Sequence, residues 1–162
     1  MGLRIERASV DRVDEAGPLF RGMVEHHRRV AGDVWPVRAA DDAWQVRRGQ
    51  YVEWLSGGSA WMLFAFAQGG APAVGYAVLR LSPPGATWAL GDRIGELESL
   101  AVAEECRGRG VGTALLEACR EICRELGVTH WVVDVVDANR DAIRMYERHG
   151  FRPYYRLLMS RV

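Results

Sequence analysis

A chain of 162 residues with 49% apolar side chains suits one compact domain with a sizeable core. Twenty-one basic residues balance 21 acidic ones and no basic arm occurs, which argues against a nucleic-acid partner. No apolar run is long enough to span a membrane, MGLRIERASV lacks the apolar core of a signal peptide, and three cysteines cannot all pair, so a reduced, cytoplasmic protein with no membrane partner is expected.

Residues 3–8 (LRIERA) alternate apolar and charged side chains, as a half-buried strand does. Ser9 or Asp11 can start a helix over about 11–29 carrying Val13, Leu19, Phe20 and Val24, and Pro36 breaks the loop that follows. A second helix is predicted from Asp42 to Leu55, with Trp44, Tyr51, Trp54 and Leu55 on or near one face, stopped at Ser56-Gly57-Gly58. Strands at 60–67 and 74–81 flank the turn QGGAP, and a longer loop leads to a strand at 93–102. A glycine turn, a helix over 111–126, a strand at 130–136, a helix over 140–149 and a last strand near 154–161 complete the chain. The order is β-α-α-β-β-β-α-β-α-β in one domain over 1–162, with no repeat or linker. The early strands can form an antiparallel meander and the later βαβ unit needs a right-handed parallel crossover, so the class is mixed α/β.

The turn reads Arg107-Gly108-Arg109-Gly110-Val111-Gly112-Thr113 between a strand and a helix. Small residues let backbone N–H groups approach an anion, and a helix start adds free donors and the positive end of its dipole. Such a turn suits a phosphate or diphosphate. The spacing does not give the dinucleotide fingerprint, because Leu115 or Thr113 stands where its third glycine belongs. A P-loop or a Schiff-base lysine is excluded, since every basic residue other than histidine is arginine, a bias that also hints at a GC-rich, bacterial coding genome.

What fits is the R-x-x-G-x-G turn, preceded by ELESLAV, followed by TALLEACREICRELG, and joined downstream by Asn139, Ala142, Tyr146 and YERHGF. With these residues, over about 93–152, the chain resembles the GCN5-related N-acetyltransferase superfamily. The resemblance implies a six- to seven-stranded, mostly antiparallel sheet flanked by about four helices. It implies acetyl-CoA as co-substrate and no metal. CoA would be bound through Arg107, Gly108, Arg109, Gly110, Val111, Gly112 and Thr113, through the backbone of Leu100, Ala101 and Val102, and through Asn139, Ala142 and Tyr146. It further implies Glu98 as general base and Tyr146 as the group facing the thioester sulfur.

The chemistry needs such groups. An amine arrives mostly as ammonium, without a lone pair, and a carboxylate can take its proton directly or through water. Glu96 competes with Glu98, since strict alternation sets Glu96, Glu98, Leu100 and Val102 on one face of the strand. Tyr146 can protonate the departing thiolate, since a phenol of pKa about 10 and a thiol of about 8.5 are close enough for a hydrogen bond to follow the charge. Cys106 reads as an apolar filler, Cys119 and Cys123 as core rather than metal ligands, and His149 as a dipole partner. His26, His27, Trp35, Trp44, Tyr51, Trp88, Asp33, Asp41 and Asp42 could shape an acceptor pocket, although packing or a solvated surface is the preferred reading of each.

The expected activity is transfer of acetyl to a primary amine of a small molecule or a peptide N-terminus in a ternary complex. A non-catalytic acyl-CoA sensor and a protein N-terminal acetyltransferase are the alternatives. The eleven residues after Phe151 leave room for little of a second terminal strand, which favours a homodimer.

Overall fold

A computed structural model describes residues 2–162. Four strands form an antiparallel meander: β1 (Arg4–Ala8), β2 (Ala60–Ala67), β3 (Gly70–Ser82) and β4 (Ile94–Val102). β5 (Trp131–Val133) joins β4 in parallel, in the sheet order β1-β2-β3-β4-β5. The helices are α1 (Gly17–Ala31), α2 (Ala40–Ser56), α3 (Val111–Glu125) and α4 (Arg140–Arg148). Val10–Ala16 is a 3₁₀ segment leading into α1, where a continuous helix is predicted from the sequence. Pro18 in the first turn suits the start of α1, because its missing N–H would be unpaired there anyway.

The sheet is covered on both faces, so β2 and β3 read as near-continuous apolar runs. On one side Phe20, Val24, Trp44 and Tyr51 of α1 and α2 pack on Met62, Phe64, Tyr76 and Val78. On the other Val111, Leu115, Leu116, Cys119 and Ile122 of α3 pack on Leu63, Ala77, Leu79 and Leu97. Cys119 and Cys123, read from the sequence as core, lie in this cluster. Among the described residues no group of His, Cys, Asp and Glu is arranged to hold a metal, and no helix is long and apolar enough to cross a membrane.

Two expectations are corrected. The sheet has five strands among the described residues, not six or seven, because residues 152–162 form no strand. Leu157 and Leu158 project into solvent, and Tyr154 stacks only on Trp88 and Tyr155. The strand predicted over 130–136 stops at Val133. Beyond that point β4 has diverged, and residues 134–136 have no ladder partner.

The second correction is at β4. Its register to β3 shifts between Val78↔Ser99 and Leu79↔Leu97, leaving Glu98 as an extra residue. Such a bulge breaks strict alternation. Glu96, Glu98, Ser99 and Ala101 turn to the α1–α2 side, while Leu97, Leu100 and Val102 turn to the α3 side. The single face predicted for Glu96, Glu98, Leu100 and Val102 is therefore split between Glu98 and Leu100.

Candidate active site

β5 pairs with β4 only at Gly95↔Trp131, Glu96↔Val132 and Leu97↔Val133. Past the bulge the two strands part, and a cleft of about 1060 Å³ opens between them. Its walls come from α1, α2, residues 97–102 of β4, the glycine turn, residues 133–136 and α4.

Hydrogen bonding decides which backbone groups enter the cleft. The Ala103 N–H donates to the Val74 carbonyl over 2.9 Å, so those two residues form a hydrogen-bonded antiparallel pair. Antiparallel pairs alternate, so Gly75↔Val102 and Ala77↔Leu100 are the non-bonded kind. The amide groups of Val102 and Leu100 therefore point away from β3, into the cleft. Ala101 lies in the bonded pair with Tyr76, so its amide is spent on the sheet and only its surface borders the cleft. Arg107 Nε donates to the Val102 carbonyl oxygen over 3.4 Å at the cleft mouth.

The glycine turn ends in α3. Gly108 and Gly110 have φ of 70° and 83°, the left-handed region that favours glycine. The first intrahelical bond at this end runs from the Ala114 N–H to the Gly110 carbonyl, which leaves the amides of Val111, Gly112 and Thr113 free. Val111, Gly112 and Thr113 line the cleft, as do Arg107, Gly108 and Gly110; Arg109 is exposed and lies outside it. Free amides at a helix start beside an open strand edge form a donor set that fits a diphosphate followed by an amide-bearing arm.

α4 supplies the opposite wall. The Asn139 side chain caps it, its Oδ1 accepting from the Ala142 N–H over 3.3 Å, and its amide nitrogen is left for the cleft. Tyr146 is buried at 8% exposure, stacked edge-on against Phe151, and borders the cleft. Burial, with Cys119 adding to it, pushes the Tyr146 phenol up to about 12, so it stays protonated. His149 ties α4 to α3, its Nδ1 lying 3.2 Å from Glu117 and its Nε2 3.3 Å from Thr113 Oγ1. It is thus more than the dipole partner expected from the sequence.

On the α1–α2 side Glu98 has a side chain 15% exposed, ion-paired with Arg47 and 3.7 Å from Arg80 Nε. Glu96 bonds Arg80 over 2.5 Å and does not border the cleft. Arg80 stacks over Trp54, and Arg47 lies near Tyr51 and Trp54. Under the bulge the Tyr51 hydroxyl donates to Ser99 Oγ over 2.6 Å and lies 3.1 Å from the Tyr76 hydroxyl. Burial raises both phenols, so this trio stays neutral.

Of the acceptor-pocket candidates, His26 and His27 border the cleft, and burial with His26 nearby lowers His27 below the usual imidazole value. Trp44 and Tyr51 are core, Trp88 packs on Tyr154, and Asp33, Asp41 and Asp42 are exposed, Asp41 in an ion pair with Arg21. Arg47 and Ser99 were not singled out from the sequence. For Arg47 a signal existed: with Trp44, Tyr51 and Trp54 it falls at i, i+3, i+7 and i+10, a lone charge on the inward face of α2.

The sequence model of the Acetyltransferase (GNAT) family matches residues 23–151, and the chain belongs to that family. Among curated relatives it is 46% identical over 57 residues to the mycothiol acetyltransferase of Propionibacterium freudenreichii, covering 35% of this chain and 18% of that one. The matched stretches span 18% to 42% of the curated relatives' own length. Among solved structures, a tetramutant of the BH1408 protein from Bacillus halodurans superposes with a TM-score of 0.79 at 21% identity, covering 98% of this chain and 99% of that one. The aminoglycoside N-acetyltransferase AAC(6')-Iy in complex with CoA gives 0.72 at 18% identity, covering 99% and 95%. At these identities the structures share the fold.

Proposed function

We propose that the chain transfers an acetyl group from acetyl-CoA to a primary amine of a small molecule or peptide, by direct attack within a ternary complex. The observation that carries this reading is the parting of β5 from β4 beside the free amides of α3, with Tyr146 on one wall and Glu98 on the other. Val111, Gly112 and Thr113 would hold the diphosphate through their N–H groups, with Arg107 adjacent. The outward amide of Leu100, and Asn139, would hold the arm, leaving the Val102 N–H for the thioester carbonyl. When bound, acetyl-CoA supplies an acyl group activated as a thioester.

The chain's own residues then move protons and stabilise charge. Glu98 takes a proton from the ammonium, directly or through water, and passes it on to solvent. The freed amine forms the new N–C bond as the C–S bond breaks. The Val102 N–H faces the developing oxyanion. Tyr146, kept protonated by burial, donates a hydrogen bond to the departing sulfur and keeps its proton, since a thiolate of pKa about 8.5 is too weak a base to remove it. The nitrogen sheds a second proton to solvent as the amide forms, and the thiolate takes one from the same pool, so that one proton is released overall.

The test is thiol release from acetyl-CoA against a panel of amines, amino acids and peptides, with calorimetry of CoA alongside. Turnover on any amine supports the reading. CoA binding without turnover on any acceptor turns the reading to a sensor, and absence of CoA binding at millimolar ligand ends it.

A further inference from the structure

Arg47 is the one residue of α2 that borders the cleft among the described residues, and its guanidinium is paired with the carboxylate proposed as the base. That pairing is an obstacle for a simple amine. An ammonium that engages Glu98 Oε1 must displace Arg47, whose side chain is only 26% exposed, and one that engages Oε2 must sit among the like charges of Arg47 and Arg80. A zwitterion removes the obstacle, because its ammonium meets Glu98 while its carboxylate meets Arg47. One ion pair is exchanged for two.

We propose that the acceptor is a free α-amino acid, its carboxylate drawing Arg47 off Glu98 so that the base is freed of that guanidinium when this class of acceptor is bound. The inference rests on the acetyl-transfer reading and names the substrate class of that same site. Four features support it. Arg47 and Glu98 are adjacent charges of opposite sign on one wall, as the two charges of an α-amino acid are adjacent and opposite. The guanidinium is a planar fork placed by Tyr51 and Trp54, whose ring centroids lie 5.8 and 5.7 Å away, which suits two parallel bonds to a carboxylate.

The third feature is Arg80 Nε, a buried donor with no hydrogen-bond partner, 3.7 Å from Glu98 Oε2. It can keep Glu98 in place once Arg47 has turned to the substrate. The fourth is the α1 wall of the cleft, where Phe20, Met23 and Val24 stand beside His26 and His27, the latter lowered below the usual imidazole value chiefly by burial. Such a wall accommodates an apolar side chain rather than a further charge.

The experiment uses the full chain, acetyl-CoA, the twenty free amino acids and their carboxamides, with thiol release as readout. At least one free amino acid with an apolar side chain is expected to be turned over with kcat/KM about 10- to 100-fold above its carboxamide, the range for loss of a hydrogen-bonded charge contact. In Arg47→Gln the KM for that amino acid should rise by a similar factor while the carboxamide, no longer facing a masked base, should improve, so that the preference for the free acid is lost. Carboxamides or peptides accepted as well as the free acids would overturn this proposal while acetyl transfer stands. Turnover of other amines but of no amino acid would do the same. CoA binding without turnover on anything would instead remove the acetyl-transfer reading, and this proposal with it. The comparison on unaltered protein needs no variant, so poor folding of Arg47→Gln cannot conceal the answer.

Discussion

Arg47 of α2 and Glu98 of β4 meet because the bulge at Glu98 turns that carboxylate, together with Ser99, to the helix-covered side of the sheet. Without the extra residue the strand's alternation would set Leu97, and not Glu98, in phase with Ser99. One backbone irregularity thus places a carboxylate at the cleft wall, next to the point where the pairing of β4 with β5 ends. Glu98→Gln should lower kcat by about 10²- to 10⁴-fold at neutral pH, the usual contribution of a general base. CoA affinity by calorimetry should be unchanged, since Glu98 is not among the diphosphate or arm contacts. The same variant leaves Arg47 without its charge partner, and a stability loss of about 1–3 kcal/mol is expected by chemical denaturation. A kcat equal to that of the unaltered protein would leave Glu98 a purely structural ion-pair member.

Tyr146→Phe should slow turnover by about 10- to 100-fold without abolishing it, because thiolate is already a fair leaving group and the phenol contributes one hydrogen bond to developing charge. Since burial pushes the Tyr146 phenol up to about 12, the hydroxyl remains protonated across the working range. Any fall in kcat between pH 8 and 10 must then come from another group and should persist in Tyr146→Phe. A phenylalanine variant with unchanged rate would remove the leaving-group role.

Much of this architecture was legible in the sequence. The glycine turn follows from glycine chemistry and the helix after it from its sequence, which are local, while the roles of Asn139 and Tyr146 were legible only through the resemblance. Three features were not legible. The bulge at Glu98 depends on how β4 registers against β3, a non-local choice that alternation alone misreads. The ends of β5 and of the terminal segment depend on whether a neighbouring strand is there to pair with, and β4 has bent away. Arg47 was visible as a charge among Trp44, Tyr51 and Trp54 on one helical face, but its partner 51 residues away was not.

Gly75 sets how closely α3 approaches the sheet. A Cβ there would lie 2.9 Å from Val111 Cγ1, 3.0 Å from the Ala101 carbonyl oxygen and 3.1 Å from Leu115 Cδ1. The carbonyl belongs to β4 and cannot yield, so the helix start must. Gly75→Ala should therefore cost about 1–3 kcal/mol and weaken CoA binding by displacing the free amides at Val111 and beyond. Gly49→Ala, inside α2 with nothing within 4 Å of the added carbon, is the matched control. It should raise stability by about 0.5–1 kcal/mol. Equal effects of the two substitutions on CoA affinity would show that the approach of α3 does not govern the diphosphate site.

His27 supplies a pH dependence whose direction is fixed by burial. Its folded-state value lies below the usual imidazole value, chiefly through desolvation, with His26 adding repulsion. As pH falls, the unfolded chain therefore takes up this proton before the folded one does. Stability is full above about pH 6.5 and is lost as pH drops through the lower folded value. Asp14 and Glu15, held below the usual carboxylate range by Arg48 and Arg12, lose their contribution only at more acid pH. The interval from pH 7.5 to 5.5 thus isolates the imidazole from these carboxylates. Melting temperature should decline across that interval in the unaltered protein and less steeply in His27→Asn. An equal decline in both would mean that His27 is solvated in the folded state. Because the ring also borders the cleft, protonation adds a cation to the wall proposed to receive the acceptor's apolar side chain. The acceptor KM should rise over the same interval, and that rise should be smaller in His27→Asn.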